Sequence, residues 1–277
     1  MKRILIAVLL ATALLATGCT IPHYAGKTAL YDDKNKKCLD MKGNLLSGKA
    51  ELRGVFKDAS PLEIFCVDGE RIREREYRYL STRRWIERRP SLVAERTYKN
   101  GELEVGKSFY ESEVFESGAL RSETPYKNGK REGLAKSFYD TPFFERGALR
   151  SETPYKNGKR EGVAKSFYEN GRLEEEIPYK NDVADGIGKT YYESGKLNEE
   201  ITWKNGKTYY GIDSSIREGE KKVFREDGTI WGIFTYEKDK PISGVCYKIN
   251  GEKRPFTEAE LENLSKNWNN WLKITCD

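Results

Sequence analysis

The sequence is poor in the side chains that perform chemistry. Its 277 residues include one histidine, two methionines and five cysteines. The histidine is His23, so a His-based triad, a histidine zinc site or an HExxH motif at a folded position is excluded. The cysteines lack CxxC spacing, which excludes a thioredoxin-like site. Glycines stand isolated at hairpin spacing, as turn glycines do, and form no phosphate loop. Carboxylates cluster, as in Glu174-Glu175-Glu176, but they recur on what read as solvated strand faces, not as one pair at a set separation. We therefore expect no enzyme activity, no cofactor, no metal and no small-molecule substrate.

A stripe of one-signed charge is also missing. Lys and Arg number 49, Asp and Glu 44, and the net charge is +5. Lys-Asn-Gly and Arg-Glu-Gly segments alternate with Glu-rich ones, whereas a nucleic-acid binder shows a basic face. No nucleic-acid partner is expected. Hydrophobic residues at 37% against 34% charged leave a thin core, while 12% aromatics argue against disorder.

Long hydrophobic runs are absent but for one. Ile4 to Ala16 is apolar for 13 residues, short of the roughly 20 that span a bilayer. Lys2 and Arg3 precede it and small residues follow, the layout of a secretory signal peptide. The segment ends Leu15-Ala16-Thr17-Gly18-Cys19, which resembles the bacterial lipobox, with Ala16 where that pattern prefers Leu. The resemblance implies cleavage after Gly18, diacylglycerol on the Cys19 thiol and acylation of the new amino group, and two or three chains anchor stably. A plain signal peptide with a coincidental cysteine is the alternative. Thr20 rather than Asp follows, which resembles outer-membrane sorting. The expected location is the cell envelope, lipid-anchored through Cys19, and in a Gram-negative host the outer membrane facing the periplasm.

Setting Cys19 aside leaves Cys38, Cys66, Cys246 and Cys276, an even number suited to an oxidising compartment. Three pairings exist. We favour Cys38 with Cys66 and Cys246 with Cys276, since each pair brackets one end of the chain. Each bridge would close a loop of about 30 residues and contribute on the order of 3 kcal/mol. Four free thiols are the alternative.

The middle of the chain repeats. Tyr126-Lys-Asn-Gly-Lys-Arg-Glu-Gly-Leu-Ala-Lys-Ser-Phe-Tyr139 returns almost unchanged from Tyr155 to Tyr168, and looser copies start at Tyr98, Tyr179, Trp203 and Tyr236. The base unit is about 24 residues, lengthened in some copies by inserted segments. Asn-Gly between alternating segments is a strong signal for a two-residue hairpin turn. A second turn carries Gly as well, at Asn170-Gly171, Ser194-Gly195 and Asp227-Gly228. Each unit thus predicts two antiparallel strands, and stacked hairpins predict an elongated all-β array. Lys42 to Gly48 and Phe65 to Gly69 look like degenerate first and second turns.

The unit from Tyr155 to Gly171 resembles the bacterial MORN-repeat variant, and the likeness extends over most of residues 41–251. Proteins of that family carry labels such as toxin–antitoxin antitoxin component or lipoprotein, and MORN repeats elsewhere are linked to protein assembly and to lipid. The resemblance implies a binding surface and no catalytic residues.

After Gly251 the pattern changes. Thr257-Glu-Ala-Glu260 reads as a capping box, and Leu261, Leu264, Trp268, Trp271 and Leu272 share a helical face, predicting a helix over about 258–273 that caps the array. The expected layout is a signal peptide (1–18), a lipidated tether (19–30), degenerate repeats (31–97), regular repeats (98–251) and the capping helix (252–277). Inserted segments place Val114, Phe115, Phe143, Phe144, Tyr209 and Tyr210 in turns, where aromatics are typical of interface anchors or fold back onto the sheet. The expected function is an envelope lipoprotein that binds or scaffolds another protein. The alternatives are an antitoxin or immunity protein, and a peptidoglycan- or lipid-binding protein.

Overall fold

The structure is a computed structural model, and it describes residues 30–32, 37–39, 44–45, 47–52, 62–68, 70–79, 90–111, 118–140, 147–207, 213–266, 274 and 276. Cys19 and the segment expected to be a signal peptide lie outside them. Among the described residues the fold is all-β apart from one short helix. It forms two compact units, Met1–Lys130 with Asp140–Gly147 and Arg131–Tyr139 with Ala148–Asp277.

In the first unit β1 (Leu30–Asp32) pairs with β2 (Lys37–Leu39). Strands β3 (Gly48–Leu52), β4 (Leu62–Val67), β5 (Glu70–Tyr79), β6 (Pro90–Lys99), β7 (Glu102–Phe109) and β8 (Leu120–Lys127) each pair antiparallel with the next. Cys38, Ile64 and Cys66 are buried together with Leu62 against them, and Cys38 is bonded to Cys66. The β4–β5 connection is tight: Val67 faces Glu70 and Asp68 takes φ 47°. Two residues thus separate the paired Val67 and Glu70, the spacing of the first turns. The expectation of a second turn there is corrected, because Asp68 supplies the left-handed backbone that Asn supplies elsewhere.

Strand β9 (Lys130–Arg131) falls where the two units divide. The second unit runs β10 (Gly133–Phe138), β11 (Leu149–Lys156), β12 (Lys159–Arg160), β13 (Gly162–Phe167), β14 (Leu173–Lys180), β15 (Val183–Ala184), β16 (Gly186–Tyr191), β17 (Leu197–Lys207), β18 (Asp213–Phe224), β19 (Ile230–Glu237), β20 (Lys240–Tyr247) and β21 (Lys253–Pro255). Helix α1 (Glu258–Lys266) follows.

Each regular hairpin has two different turns for two physical reasons. At Asn157-Gly158 both residues take positive φ, 52° and 88°, as a type I′ turn demands. At the other end a five-residue turn recurs. The N–H of Gly171, Gly195, Gly228 and Gly251 donates to the carbonyl of Tyr168, Tyr192, Arg225 and Lys248, at 2.7–3.0 Å. Asn170, Asp227 and Asn250 brace these turns by accepting a backbone N–H two residues on. The turn at Asn250-Gly251 is a fourth copy beyond the three read from sequence.

Between the turns the return strand breaks. Tyr155 faces Arg160, yet Glu152 faces Lys165, so the return strand carries two extra residues. Pro154, which has no N–H for the ladder, faces the break, and Thr202 faces the equivalent break between β17 and β18. Glu161 N–H donates to the Pro154 carbonyl at 3.0 Å, and Gly162 takes φ 111° with Pro154 Cγ 3.1 Å from where a Cβ would sit. Pro178 and Gly186 repeat the arrangement. The glycine of Arg-Glu-Gly is thus a bulge glycine inside the strand, which corrects its reading as a turn residue.

The copy at Trp203 departs further. Asn205 and Gly206 do not turn; they continue β17 and face Ser215 and Ser214 of β18. The extra residues of that copy lengthen the hairpin instead of forming a loop before Glu218. Its preceding hairpin carries Ala184 and Asp185 where those at 131–132, 160–161 and 217–218 carry Arg and Glu.

At the C-terminal end a compact core appears. Val223, Phe234, Tyr236, Cys246, Phe256, Leu264 and Cys276 are buried together, with Trp231, Leu261 and Ile274 against them. The capping box forms: Glu260 N–H donates to Thr257 Oγ1 at 3.3 Å and Thr257 N–H to Glu260 Oε2 at 2.8 Å. Arg254 adds an ion pair to Glu260 at 2.9 Å. Cys246 and Cys276 are bonded. Trp268, Trp271 and Leu272 lie outside the described residues.

Candidate functional site: clamps and faces of the repeats

The Arg-Glu-Gly segment of one hairpin holds the tight turn of the next. Glu132, Glu161 and Glu218 each accept the N–H of the first turn residue that follows, from Asn157, Asn181 and Lys238, at 2.6–2.9 Å. The carbonyls of Arg131, Arg160 and Arg217 accept the N–H of the second, from Gly158, Asp182 and Asp239. The guanidinium of each Arg lies over the aromatic ring of that hairpin, 5.1 Å from Tyr155, 4.0 Å from Tyr179 and 4.8 Å from Tyr236. Where the turn carries Asp instead of Gly, its carboxylate is used too. Asp182 and Asp239 accept the N–H of Arg160 and Arg217 at 2.8 and 2.9 Å. These hydrogen bonds offset the left-handed backbone that Asp adopts less readily than Gly.

The opposite edge has its own link. The hydroxyls of Tyr139, Tyr168 and Tyr192 donate to the carbonyls of Phe167, Tyr191 and Phe224, each at 2.6 Å. Those acceptors sit at bulges, where the ladder register shifts. Burial raises all three hydroxyls above their ordinary pKa, which keeps them protonated donors. In the last copy Arg225 replaces the tyrosine, and its guanidinium donates to the Tyr247 carbonyl. The polar tips of these aromatics thus link each repeat to the next.

These edge contacts leave the two faces of the sheet free of a thick core. Among the described residues from Leu149 to Asp182, none is buried. One face carries a row of hydroxyls and carboxylates: Ser137, Ser151, Ser166, Glu175, Thr190 and Glu199 are successive neighbours. Ser137 and Ser151 share a hydrogen bond of 2.6 Å, and burial, helped by Glu174, raises the Glu175 carboxyl. Toward the C-terminal end this face becomes the core. There Lys221, 3% exposed, pairs with Glu199 at 2.8 Å, and burial lowers it to about 8.

The other face carries alternating charge. Lys136, Glu152, Lys165, Glu176, Lys189, Glu200 and Lys222 are successive cross-strand partners from β10 to β18. Lys136–Glu152 and Lys189–Glu200 close to 3.3 and 3.6 Å. Beside this ladder stand Leu134, Val163 and Ile187, 41%, 46% and 57% exposed, next to Pro154 and Pro178. The signal was present in the sequence. Lys165 and Lys189 are one repeat apart, as are Glu152, Glu176 and Glu200.

The first unit shows the same alternation in Glu63, Arg75, Glu95, Lys107 and Glu123. Its clamp is denser. The buried Glu74 accepts from Arg71 and Arg96, both at 2.8 Å, and from the Tyr98 hydroxyl, which burial and Glu74 push up to about 12.

Val114, Phe115, Phe143, Phe144, Tyr209 and Tyr210 all lie outside the described residues. On either side of two of these pairs, Tyr110 N–H donates to the Ala119 carbonyl and Tyr139 N–H to the Ala148 carbonyl, both at 2.9 Å. Among the described residues no group of three His, Cys, Asp or Glu is placed to hold a metal. No helix among them is long and apolar enough to cross a membrane.

Hairpins that repeat in register and hold one another by equivalent residues define an all-β repeat protein. Residues 160–181 and 184–205 match the family model described as MORN repeat variant, and the chain is a repeat protein of that kind over this stretch. Each matched span begins at the position of Arg160 or its equivalent Ala184; the first ends at Asn181, where the next tight turn starts, and the second at the equivalent Asn205, which continues β17. No curated protein matches the chain.

Proposed function

We propose that this chain is a lipid-anchored envelope protein whose MORN-variant sheet binds or scaffolds another protein. The observation that carries the binding reading is the single-layer sheet. Its hairpins satisfy each other at the edges, so the broad faces are not consumed by folding and stay half exposed. Exposed apolar side chains rimmed by charge are the composition of a contact surface. The anchoring reading rests on Lys2-Arg3, the short apolar run and Leu15 to Cys19.

Two measurements test it. Metabolic labelling with a clickable fatty acid should mark the wild-type chain and not Cys19→Ala, which should also leave the membrane fraction; a labelled Cys19→Ala chain contradicts the anchor. Crosslinking in cells followed by mass spectrometry should recover a protein joined to face residues. Recovery of peptidoglycan alone by the purified chain, with no protein crosslink, contradicts the protein-binding reading. Phe143→Ser with Phe144→Ser sorts the loops: lost crosslinks at unchanged melting place them in the contact surface, and a lower melting temperature places them against the sheet.

A further inference from the structure

The ladder face of the second unit has a symmetry that selects a partner. Six successive rungs read Lys136, Glu152, Lys165, Glu176, Lys189 and Glu200. Rotate a second copy by a half-turn about an axis parallel to the strands and lying between β13 and β14. Lys165 then faces Glu176 of the copy, Glu152 faces Lys189, and Lys136 faces Glu200. The same rotation keeps each row of the sheet on itself. Val163 meets Pro178 of the copy, and Pro154 meets Ile187. Leu134 meets Thr202, so every cation meets a carboxylate and two of the three exposed aliphatics meet prolines. A half-turn about the perpendicular in-plane axis would stack like charges, so the face also selects one orientation.

We propose that this face is a docking surface for a second copy of the same chain, the two sheets packing face to face with antiparallel strand order. The face is open on this side: Phe256 and the C-terminal core lie against the other, where Phe256 Cδ2 is 3.0 Å from where a Cβ on Gly244 would be. Lys165, at the centre, makes no ion pair among the described residues, and Val163 beside it is 46% exposed. Six strands about 4.8 Å apart and roughly 20–25 Å long offer on the order of 600–700 Å² per partner, the low end of stable interfaces. The aliphatic row supplies the affinity and the ladder the register, since charge complementarity governs specificity more than strength. This docking does not depend on lipidation or on a further protein partner.

The test uses the full chain in cells, with a photo-crosslinking residue in place of Val163. The expected product is a chain–chain adduct whose linked peptide contains Pro178. Lys165→Glu with Lys189→Glu makes the centre of the face acidic, and Glu152→Lys with Glu176→Lys makes it basic. Each variant alone should lose the adduct by about tenfold or more, because like charges then face each other. Co-expressing the two, with different tags, should restore it as a mixed adduct; two misfolded chains would not rescue one another. No adduct in the wild type, an adduct insensitive to the charge variants, or no rescue on mixing overturns the proposal. Capture of a different protein at position 163 overturns it as well, while supporting the broader binding reading.

Discussion

The hairpins from Leu149 to Tyr191 and the end of the chain from Gly219 to Cys276 are written in the same unit and held by different forces. In the first stretch the contacts are polar and at the edges: a Glu on each tight turn, an Arg over each ring, a tyrosine hydroxyl on each bulge carbonyl. In the second, Val223, Phe234 and Cys246 are each 0% exposed, and a helix and a disulfide close over them. An edge hydrogen bond contributes about 0.5–1.5 kcal/mol net, and a buried aromatic several times that. The open hairpins therefore stand by adding many small terms between neighbours, while the end stands on a few large ones. The cost of an open face is low local stability; the gain is a surface not used up in folding.

The comparison can be broken from its stronger side first. Phe234→Ala should cost about 3–5 kcal/mol, since the ring fills the centre of the core with Phe256 stacked at 4.7 Å; thermal melting checks this, and a loss below 1 kcal/mol would deny the core its role. Cys246→Ser with Cys276→Ser should cost about 2–5 kcal/mol by freeing a loop of 30 residues in the unfolded chain. In the open hairpins, Gly162→Ala forces a Cβ toward Pro154 at a positive φ and should cost about 1–3 kcal/mol, read by urea denaturation. Tyr168→Phe removes only the bond to the Tyr191 carbonyl and should cost about 0.5–1.5 kcal/mol.

Lys221 sharpens the comparison through pH. The unfolded side chain holds its proton up to its ordinary value of 10.5, whereas burial lowers the folded one to about 8. Between these values the unfolded state binds more protons, so stability rises with pH, by at most about 1.4 kcal/mol per unit. Above pH 10 the trend reverses. Tyr98, Tyr191 and Tyr236 are pushed up to about 12, so the unfolded state loses those protons first. Denaturant midpoints from pH 7 to 11 should pass through a maximum near 10; a monotonic fall from pH 8 would contradict the buried cation.

Much of the architecture was legible because turn chemistry is local. Asn157-Gly158, Asn170-Gly171 and Thr257 with Glu260 each act within a few residues, and the structure forms all three. The pairing of Cys38 with Cys66 and of Cys246 with Cys276 followed from position along the chain. What escaped depends on the neighbouring hairpin. Asn205-Gly206 has the composition of a turn and stays in a strand, where it pairs with Ser215 and Ser214, partners that its own few residues do not reveal. Arg-Glu-Gly was visible as a motif, but its role required knowing that Pro154 faces it across the sheet. The charge ladder required the cross-strand register, which the two-residue bulge shifts.

Hydrogen exchange, read peptide by peptide by mass spectrometry, tests the central claim most directly. If the repeats are held by neighbour contacts and not by a common core, amides of β13 and β14 should open at a lower free energy than those of β18 to β20, with protection rising in steps toward the C-terminal core. One uniform opening energy from Leu149 to Tyr247 would contradict the account.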